Sequence, residues 1–382
     1  MLPKKLQIKL NTRKTENALR KLGEQNNIID FSSNDYLGFS RNKNIFKATH
    51  KYLVDNNIEQ NGATGSRLLS GNHKLYTTVE TQLCKFHNSE AALIFNSGYN
   101  ANLGFFSCVP QRNDIIFYDE FSHASIRDGI TMSNANAYKF KHNDLEVLEK
   151  LILRHYKIVP NTNQEIYIVT ESVFSMDGDS PDLKKLSQIS QKHKAHLIID
   201  EAHAIGVLGE KGEGLTKNIN TFAKIITFGK AIGCHGAAIL CSKDLKQFLI
   251  NFSRTFIYTT ALSPHSLATI YSAYNTLVSE NQSKACQIKK LEQNILFFKS
   301  EIEKLQLKNK FIESNSALHC CIIPGNKNVK RLANHLQQNN FSVKPILSPT
   351  VKKGKERLRF CLHSYNTKTE ISKVLNLLTT FV

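Results

Sequence analysis

The sequence lacks the features that mark membrane-spanning, fibrous and disordered proteins. No stretch approaches the roughly 20 consecutive apolar residues that cross a bilayer. Proline and glycine are sparse, with 8 and 18 residues among 382, and we find neither an internal repeat nor a low-complexity tract. At about 150 residues per domain, the length predicts two or three globular domains. Because the sequence has no apolar span, we expect no membrane partner.

Cysteine is too sparse and too irregularly spaced for a disulfide framework or a zinc site. The eight cysteines contain no C-x-x-C pair, and the adjacent Cys320 and Cys321 cannot easily ligate one tetrahedral ion. We therefore expect free thiols, no bound metal and a reducing, cytoplasmic location.

Acidic residues are also scarce. The chain has 32 Asp and Glu against 50 Lys and Arg, which gives a formal net charge of +18. Such an excess favours anionic partners: nucleic acid, a membrane surface or phosphorylated metabolites. Charge alone does not choose among them.

What is present is an alternation of helical and strand-like segments between about residues 75 and 245. Leu75, Val79, Leu83 and Phe86 recur at helical spacing. Short apolar runs typical of strands buried on both faces lie at 92–95, 115–118, 166–169, 197–199, 225–228 and 237–240. The pattern predicts an α/β domain with a largely parallel sheet between helices.

Other segments delimit this domain. Residues 1–22 are interpreted as an N-terminal helix, and the Asn-rich pieces at 161–163 and 281–283 as surface turns. After the second turn, apolar residues at helical spacing from Ile288 to Leu305 predict a core-facing helix that opens a smaller α+β domain. We expect an N-terminal helix and arm (1–42), a large domain (43–280) and a small domain (281–382).

The residues at 200–203 spell DEAH, the signature of a class of nucleic-acid-dependent ATPases. Such a motor needs a phosphate-binding loop, G-x-x-x-x-G-K-[ST]. The nearest match is Gly229-Lys230, but Ala231 follows it and Lys224 stands in place of the first glycine. We therefore place this ATPase alternative well below the interpretation that follows, and expect no nucleic-acid partner.

Three polar elements follow strand-like runs, where α/β sheets bind ligands. Asp200 follows the run ending at Ile199, Lys230 follows the run ending at Phe228, and the turn NSGYN lies at 96–100. Singly, these elements are typical of a helix N-cap, a solvated lysine and an ordinary turn. Together they supply an anion-binding turn, a carboxylate and an amine, which are the groups that bind pyridoxal 5′-phosphate.

Eight segments, in order, resemble the α-oxoamine synthase family of fold-type I pyridoxal-phosphate enzymes. They are FSSNDYLG at 31–38, GSRL at 65–68, SGYNAN at 97–102, HASIRDG at 123–129, HND at 142–144, ESVFSMDGD at 171–179, DEAH at 200–203 and TFGK at 227–230. The resemblance covers nearly the whole chain. It implies a PLP-dependent transferase fold: a large domain with a mostly parallel seven-stranded sheet between helices, and a smaller α+β C-terminal domain.

The resemblance also implies a role for each matching residue. In the catalytic set, Lys230 forms the Schiff base with the cofactor and moves the substrate α-proton, Asp200 pairs with the ring nitrogen, and His123 stacks on the ring. The remaining cofactor contacts are Ser175 and His203 near the phenolic oxygen, and Gly98, Tyr99 and Thr227 at the phosphate. The family shares its active sites across a homodimer, so Thr259 and Thr260 are expected to contact the phosphate of the neighbouring subunit.

For substrates, the family places an arginine near the N-terminus and a threonine and an arginine near the C-terminus. The matches are Arg20, Thr350 and Arg359. Arg359 is expected to clamp the amino-acid carboxylate through two parallel hydrogen bonds. The N-terminal assignment stays open between Arg20 and the nearby Arg13.

The implied reaction is a decarboxylative condensation of an amino acid with an acyl thioester. A short N-terminus, the HND triplet and the segment GCHGAA after Lys230 favour the biotin-pathway branch, which joins L-alanine to a pimeloyl group carried by CoA or a carrier protein. Other branches are glycine C-acetyltransferase and serine palmitoyltransferase. Two departures bear on substrate choice: Tyr76 replaces a common histidine, and Pro181-Asp182-Leu183 replaces Ala-Pro-Leu.

Overall fold

The computed structural model describes residues 2–20, 22, 28–158, 164–280 and 286–381, so the turns predicted at 161–163 and 281–283 lie outside the described residues. The chain forms two compact units. The terminal unit comprises 1–34, 175–179 and 289–382, and the central unit comprises 35–174 and 180–288. The three-part domain division remains a prediction, because these units are defined by compactness and not by independent folding.

The helices are α1 Lys4–Thr15, α2 Lys43–Asp55, α3 Lys74–His87, α4 Gly98–Phe106, α5 Ala124–Met132, α6 Leu145–Ile158, α7 Leu183–Lys192, α8 Lys243–Phe252, α9 Arg254–Ile257, α10 Pro264–Glu280, α11 Gln287–Lys304, α12 Asn326–Gln338 and α13 Lys368–Thr379. The strands are β1 Ile29–Phe31, β2 Ala91–Phe95, β3 Ile115–Asp119, β4 Asn136–Phe140, β5 Ile166–Glu171, β6 His196–Asp200, β7 Ala223–Thr227, β8 Ala237–Cys241, β9 Leu318–Ile322, β10 Phe341–Ile346 and β11 Arg357–Cys361. Short 3₁₀ helices lie at Phe39–Arg41 and Lys308–Lys310.

The central unit is built on a seven-stranded sheet of order β2-β8-β7-β6-β5-β3-β4. Strand β8 is antiparallel to both of its neighbours, while β7, β6, β5, β3 and β4 pair in parallel. The predicted fold is therefore confirmed, and each of the six apolar runs lies in a strand except for Phe228, which directly follows β7. Strand β4 was missed, because four of its five residues are exposed and no apolar run marks it.

Both faces of this sheet are covered, which explains the unbroken apolar runs. Ile198 and Ile225 lie in one core cluster with Phe105 of α4. The next residue of β6, Ile199, lies in a second cluster with Leu148 of α6 and with α7 side chains. Alternate strand residues thus serve opposite helical layers.

The terminal unit contains a four-stranded sheet of order β1-β10-β11-β9. Strand β1 runs parallel to β10, with Ile29 opposite Phe341, and the other pairs are antiparallel. The predicted helix after residue 287 is α11, which buries Leu291 and Phe298. Within the described residues, no helix is long and apolar enough to cross a membrane.

The N-terminal helix is shorter than the predicted span of 1–22. It ends at Thr15, and two residues later Asn17 adopts a left-handed conformation with φ of 53°. A left-handed residue breaks the helical hydrogen-bond ladder, and asparagine tolerates that conformation better than most residues. Arg20 therefore lies beyond the helix, while Arg13 lies within it.

Candidate active site

The carboxyl ends of the central strands collect polar side chains. Glu171 is the last residue of β5, Asp200 of β6 and Thr227 of β7. These strands are parallel, so their carboxyl ends meet at one edge of the sheet, where ligand sites of α/β folds form. Lys230 follows three residues after Thr227 and is partly buried.

Asp200 is held in place by two donors. Its Oδ2 accepts a hydrogen bond of 2.8 Å from Asn102 Nδ2, and its Oδ1 accepts one of 2.8 Å from the Ala202 backbone N–H. The residue is only 5% exposed. A carboxylate fixed in this way at the end of a strand suits an interaction with a protonated ring nitrogen.

His123 is the N-cap of α5 and lies among charged groups. Its Nδ1 accepts from the Ser125 backbone N–H at 3.2 Å and lies 2.8 Å from Ser125 Oγ. Burial lowers the pKa of His123, the Lys230 charge lowers it further, and the Asp200 charge opposes them. The imidazole is therefore biased toward its neutral form, which can stack on an aromatic ring without carrying a charge there.

The N-terminus of α4 faces Thr227. Ser97 caps this helix by accepting from the Asn100 backbone N–H at 3.1 Å. A Cβ atom placed on Gly98, the first helical residue, would lie 3.7 Å from Thr227 Oγ1. The local packing therefore leaves room for a Cβ atom, but that atom would take up space beside the helix N-terminus where a phosphate can bind.

The remaining predicted cofactor residues of the central unit are also placed. His203 is buried, and its Nδ1 lies 2.8 Å from the hydroxyl of Tyr36. Tyr99 is 44% exposed, and its hydroxyl donates a hydrogen bond to the Asp128 carboxylate. Thr259 is partly buried and Thr260 is exposed.

Four predicted residues belong to the terminal unit. Ser175 is partly buried, and Thr350 and Arg20 are exposed. Arg359 lies in β11, is 7% exposed, and donates a 2.9 Å hydrogen bond from Nη2 to Asn34 Oδ1. Their predicted roles remain predictions.

The structure adds residues to which sequence reasoning gave no role. Glu171 accepts from the His123 backbone N–H, Asn102 donates to Asp200, and Tyr36 contacts His203. All three lie within segments that carry the family resemblance, which was the available signal. Their partners are distant in the chain, so the contacts themselves could not be read from the sequence.

The unusual Tyr76 is a core residue. It is 1% exposed, its hydroxyl accepts from the Leu262 backbone N–H at 2.8 Å, and Arg67 lies 3.8 Å above its ring. Burial raises the pKa of Tyr76 to about 12, so the hydroxyl stays protonated. Tyr76 therefore packs in the core and fixes the backbone at Leu262.

Comparison with known proteins identifies the family. Residues 26–378 match the aminotransferase class I and II family. The chain belongs to that family. Within it, the chain is an α-oxoamine synthase, a pyridoxal-phosphate-dependent acyltransferase.

Curated relatives cover almost the whole α-oxoamine synthase chain. It is 36% identical over 370 residues, 93% of this chain and 89% of the relative, to an 8-amino-7-oxononanoate synthase of Emericella nidulans. It is 38% identical over 386 residues, 97% of this chain and 96% of the relative, to a putative 8-amino-7-oxononanoate synthase of Methanococcus vannielii.

Solved structures agree on the fold. Serine palmitoyltransferase of Sphingomonas wittichii superposes with a TM-score of 0.89 at 24% identity, covering 100% of this chain and 98% of the other. The 8-amino-7-oxononanoate synthase of Francisella tularensis superposes with a TM-score of 0.76 at 30% identity, covering 93% and 98%. The first likeness concerns the fold alone, because the identity is low.

Proposed function

We propose that this chain is an 8-amino-7-oxononanoate synthase. It condenses L-alanine with a pimeloyl thioester, carried by CoA or by a carrier protein, and releases carbon dioxide and the free thiol. The reaction places the enzyme in biotin biosynthesis. The observation that carries the proposal is the 36–38% identity to relatives of that name over more than nine-tenths of the chain.

The site residues fit pyridoxal phosphate. The capped N-terminus of α4, the open space at Gly98 and the hydroxyl of Thr227 suit its phosphate. Asp200, held by Asn102 and Ala202, suits the ring nitrogen. When bound, the cofactor supplies an electron sink that stabilises negative charge at the amino acid α-carbon.

The chain's own residues then position groups and move one proton. Lys230 would hold the cofactor covalently, and its amine, once released, would take the α-proton of the amino acid and later return a proton to the product. Its charge and that of Asp200 act on both His123 and Glu171. Neutral His123 would cover one face of the cofactor ring and keep water from that face.

Substrate and subunit roles follow the family. Arg359 binds the amino-acid carboxylate, with Thr350 and Arg20 also contacting substrate. Thr259 and Thr260 reach the phosphate bound by the other subunit of a homodimer, and the enzyme works in the cytoplasm. The hydrogen bond of 2.6 Å from Asn96 Nδ2 to the Thr260 carbonyl, and that between Tyr76 and Leu262, fix this segment for such a contact.

A matrix of amino acids and acyl thioesters tests the substrates. Thiol release by the purified protein with pyridoxal phosphate should be fastest for L-alanine with a pimeloyl thioester. A higher kcat/KM for glycine with acetyl-CoA, or for serine with palmitoyl-CoA, would assign the chain to another branch. RNA-stimulated ATP hydrolysis by a colourless protein would contradict the whole proposal.

The lysine is tested separately. Lys230→Ala should abolish turnover and prevent borohydride from fixing the cofactor to the chain, while the far-ultraviolet dichroism stays unchanged. Lys184→Ala, an exposed lysine of α7, is the control and should behave as wild type. Turnover by Lys230→Ala would refute the assigned role.

A further inference from the structure

The positive charge is concentrated in the terminal unit. This unit contains 24 of the 50 Lys and Arg but only 11 of the 32 Asp and Glu, although it makes up about a third of the chain. The terminal unit therefore carries +13 of the net +18. Most of the excess positive charge of the protein is thus confined to one of its two units.

Helix α1 contributes one part of this charge. It has five Lys and Arg and no acidic residue, and none of its residues is buried. Leu6 and Leu10 are 47% and 43% exposed. Lys9 and Arg13 project to the same side of the helix as these leucines, so apolar and cationic groups are mixed.

The second part lies on α12 and on the loop before β11. Lys327, Lys330 and Arg331 have the spacing of one helix face. Lys352, Lys353 and Lys355 follow on the loop and are exposed. Between residues 324 and 355 there are seven Lys and Arg and no Asp or Glu.

Hydrogen bonds join these parts into one surface. Asn326 Nδ2, at the start of α12, donates to the Glu16 carbonyl just after α1 at 3.0 Å. Its Oδ1 accepts from the Ser348 backbone N–H at 2.9 Å, at the start of the loop. Lys330 Nζ also donates to Asn17 Oδ1 at 3.0 Å. We call α1, the first half of α12 and the loop 347–355 the basic surface.

Glu356, the first acidic residue after the loop, is buried and accepts hydrogen bonds from the backbone. Glu356 is 1% exposed and accepts hydrogen bonds of 2.8 and 2.9 Å from the backbone N–H groups of Gly325 and Gly354. These bonds lower the pKa of Glu356 against the opposing effect of burial. The carboxylate therefore fixes the loop to the start of α12 from inside, and the three loop lysines are exposed.

The basic surface adjoins the residues predicted to contact substrate. Arg20 follows α1 by five residues, and Thr350 lies in the loop itself. Arg359 lies in β11, directly after the loop. A partner that delivers the acyl chain would dock where those residues lie.

We infer that the basic surface docks a small acidic carrier protein that presents the acyl group as a thioester. This inference rests on the proposed function. The basic surface contains eleven Lys and Arg and no Asp or Glu, and this excess is complementary to an acidic protein. Leu6 and Leu10 of α1, which lie among these cations, would add apolar contacts at the centre of such an interface.

Other occupants fit less well. The phosphates of CoA would need cations that converge on a pocket, whereas these cations are spread over two helices and a loop; α1 alone is about 18 Å long. A membrane-binding helix has a continuous apolar face, whereas Lys9 and Arg13 interrupt that of α1. A second copy of the chain would bring more positive charge.

The test compares two donors on one enzyme. The pimeloyl thioester is supplied on CoA or on a purified acyl carrier protein, and kcat/KM is measured for each at low and high salt. The variant is Lys5→Glu/Lys9→Glu/Lys327→Glu/Arg331→Glu. The control carries Lys184→Glu/Lys185→Glu on α7. Far-ultraviolet dichroism and melting temperature check that both variants fold.

We expect the carrier-to-CoA ratio of kcat/KM to fall about tenfold or more in the surface variant, because rim charges govern association. The wild-type ratio should fall with salt, since screening weakens the attraction. The control should change the ratio less than about twofold. An unchanged ratio in the surface variant, or an equal loss with both donors, would overturn the inference.

A binding measurement keeps the result separate from the proposed function. Fluorescence anisotropy of labelled carrier protein reports docking even if no pimeloyl thioester is turned over. The dissociation constant should rise about tenfold in the surface variant. Loss of dimers in light scattering, or loss of binding to phosphatidylglycerol vesicles, without an effect on carrier binding would assign the surface to another occupant and overturn the inference.

Discussion

Glu171 Oε1 accepts a hydrogen bond of 2.7 Å from the backbone N–H of His123. The glutamate is 3% exposed at the end of β5, and Asp200 is its partner on β6. The contact joins the start of α5, where His123 is the N-cap, to β5, the strand that pairs with β6 and Asp200. A buried side chain thus positions His123 through its backbone.

Removal of this acceptor should destabilise the protein. Glu171→Ala leaves the His123 N–H without its partner and opens a cavity, so the free energy of unfolding should fall by about 2–4 kcal/mol. Glu171→Gln keeps an acceptor oxygen of the same size and should cost less than about 1 kcal/mol. Urea unfolding measures both, and equal losses would show that the hydrogen bond is unimportant.

The same pair of variants gives a pH dependence. Burial raises the pKa of Glu171 well above 4.5, the Asp200 and Asp119 charges raise it further, and Lys230 and the His123 N–H oppose them. The protonated acid is therefore favoured in the folded state. The contribution of protonated Glu171 to the free energy of unfolding is complete below its pKa in the unfolded chain. This contribution is lost as pH rises through its pKa in the folded protein.

The stability of wild type relative to Glu171→Gln should thus decline as pH rises above about 4.5, by at most ~1.4 kcal/mol per pH unit. Urea unfolding at several pH values between that point and neutrality measures the difference. A difference that grows with pH would mean that Glu171 is ionised in the folded protein.

Asn102 should control the affinity for the cofactor. Asn102→Ala removes one of the two donors to Asp200, and the dissociation constant for pyridoxal phosphate should rise about tenfold, corresponding to ~1.4 kcal/mol. Asn102→Asp places a second carboxylate there and should bind more weakly still. Titration of the cofactor followed by absorbance tests this order; tight binding by Asn102→Asp would contradict the positioning role.

The sequence predicted those features that depend on residues close together in the chain, and missed those that depend on residues far apart. Runs such as 166–169 predicted their strands because both faces are buried, and the spacing after Ile288 predicted α11. The exposed strand β4 gave no such signal. The pairing of β1 with β10 joins Ile29 to Phe341, a contact between opposite ends of the chain that no local pattern encodes.

The same limit applied to the site. Asp200 and Lys230 could be proposed as site residues because each follows a recognisable apolar run. The family resemblance supplied the other expected site residues. The side-chain donor to Asp200 could not be found from spacing, because Asn102 lies on a helix 98 residues earlier. Tyr36 and His203, 167 residues apart, illustrate the same dependence on tertiary structure.

The two arginines of β11 should separate stability from substrate binding. Residues 357 and 359 point to the same face of the strand, because strand side chains alternate. Arg357 forms a buried ion pair with Asp177, and burial lowers the pKa of Arg357 to about 10. Arg359 instead donates to the neutral amide oxygen of Asn34, and the carboxylate of the amino acid is its proposed substrate contact.

Arg357→Met should therefore lower the free energy of unfolding by about 3–5 kcal/mol, because Asp177 would remain buried without its partner. Arg359→Lys should change stability by less than about 1 kcal/mol but raise the KM for the amino acid about tenfold or more, because an ammonium group cannot reproduce two parallel bonds. Urea unfolding and initial rates measured over a range of alanine concentrations test the pair. A stable Arg357→Met enzyme with a raised KM would reverse the two assignments.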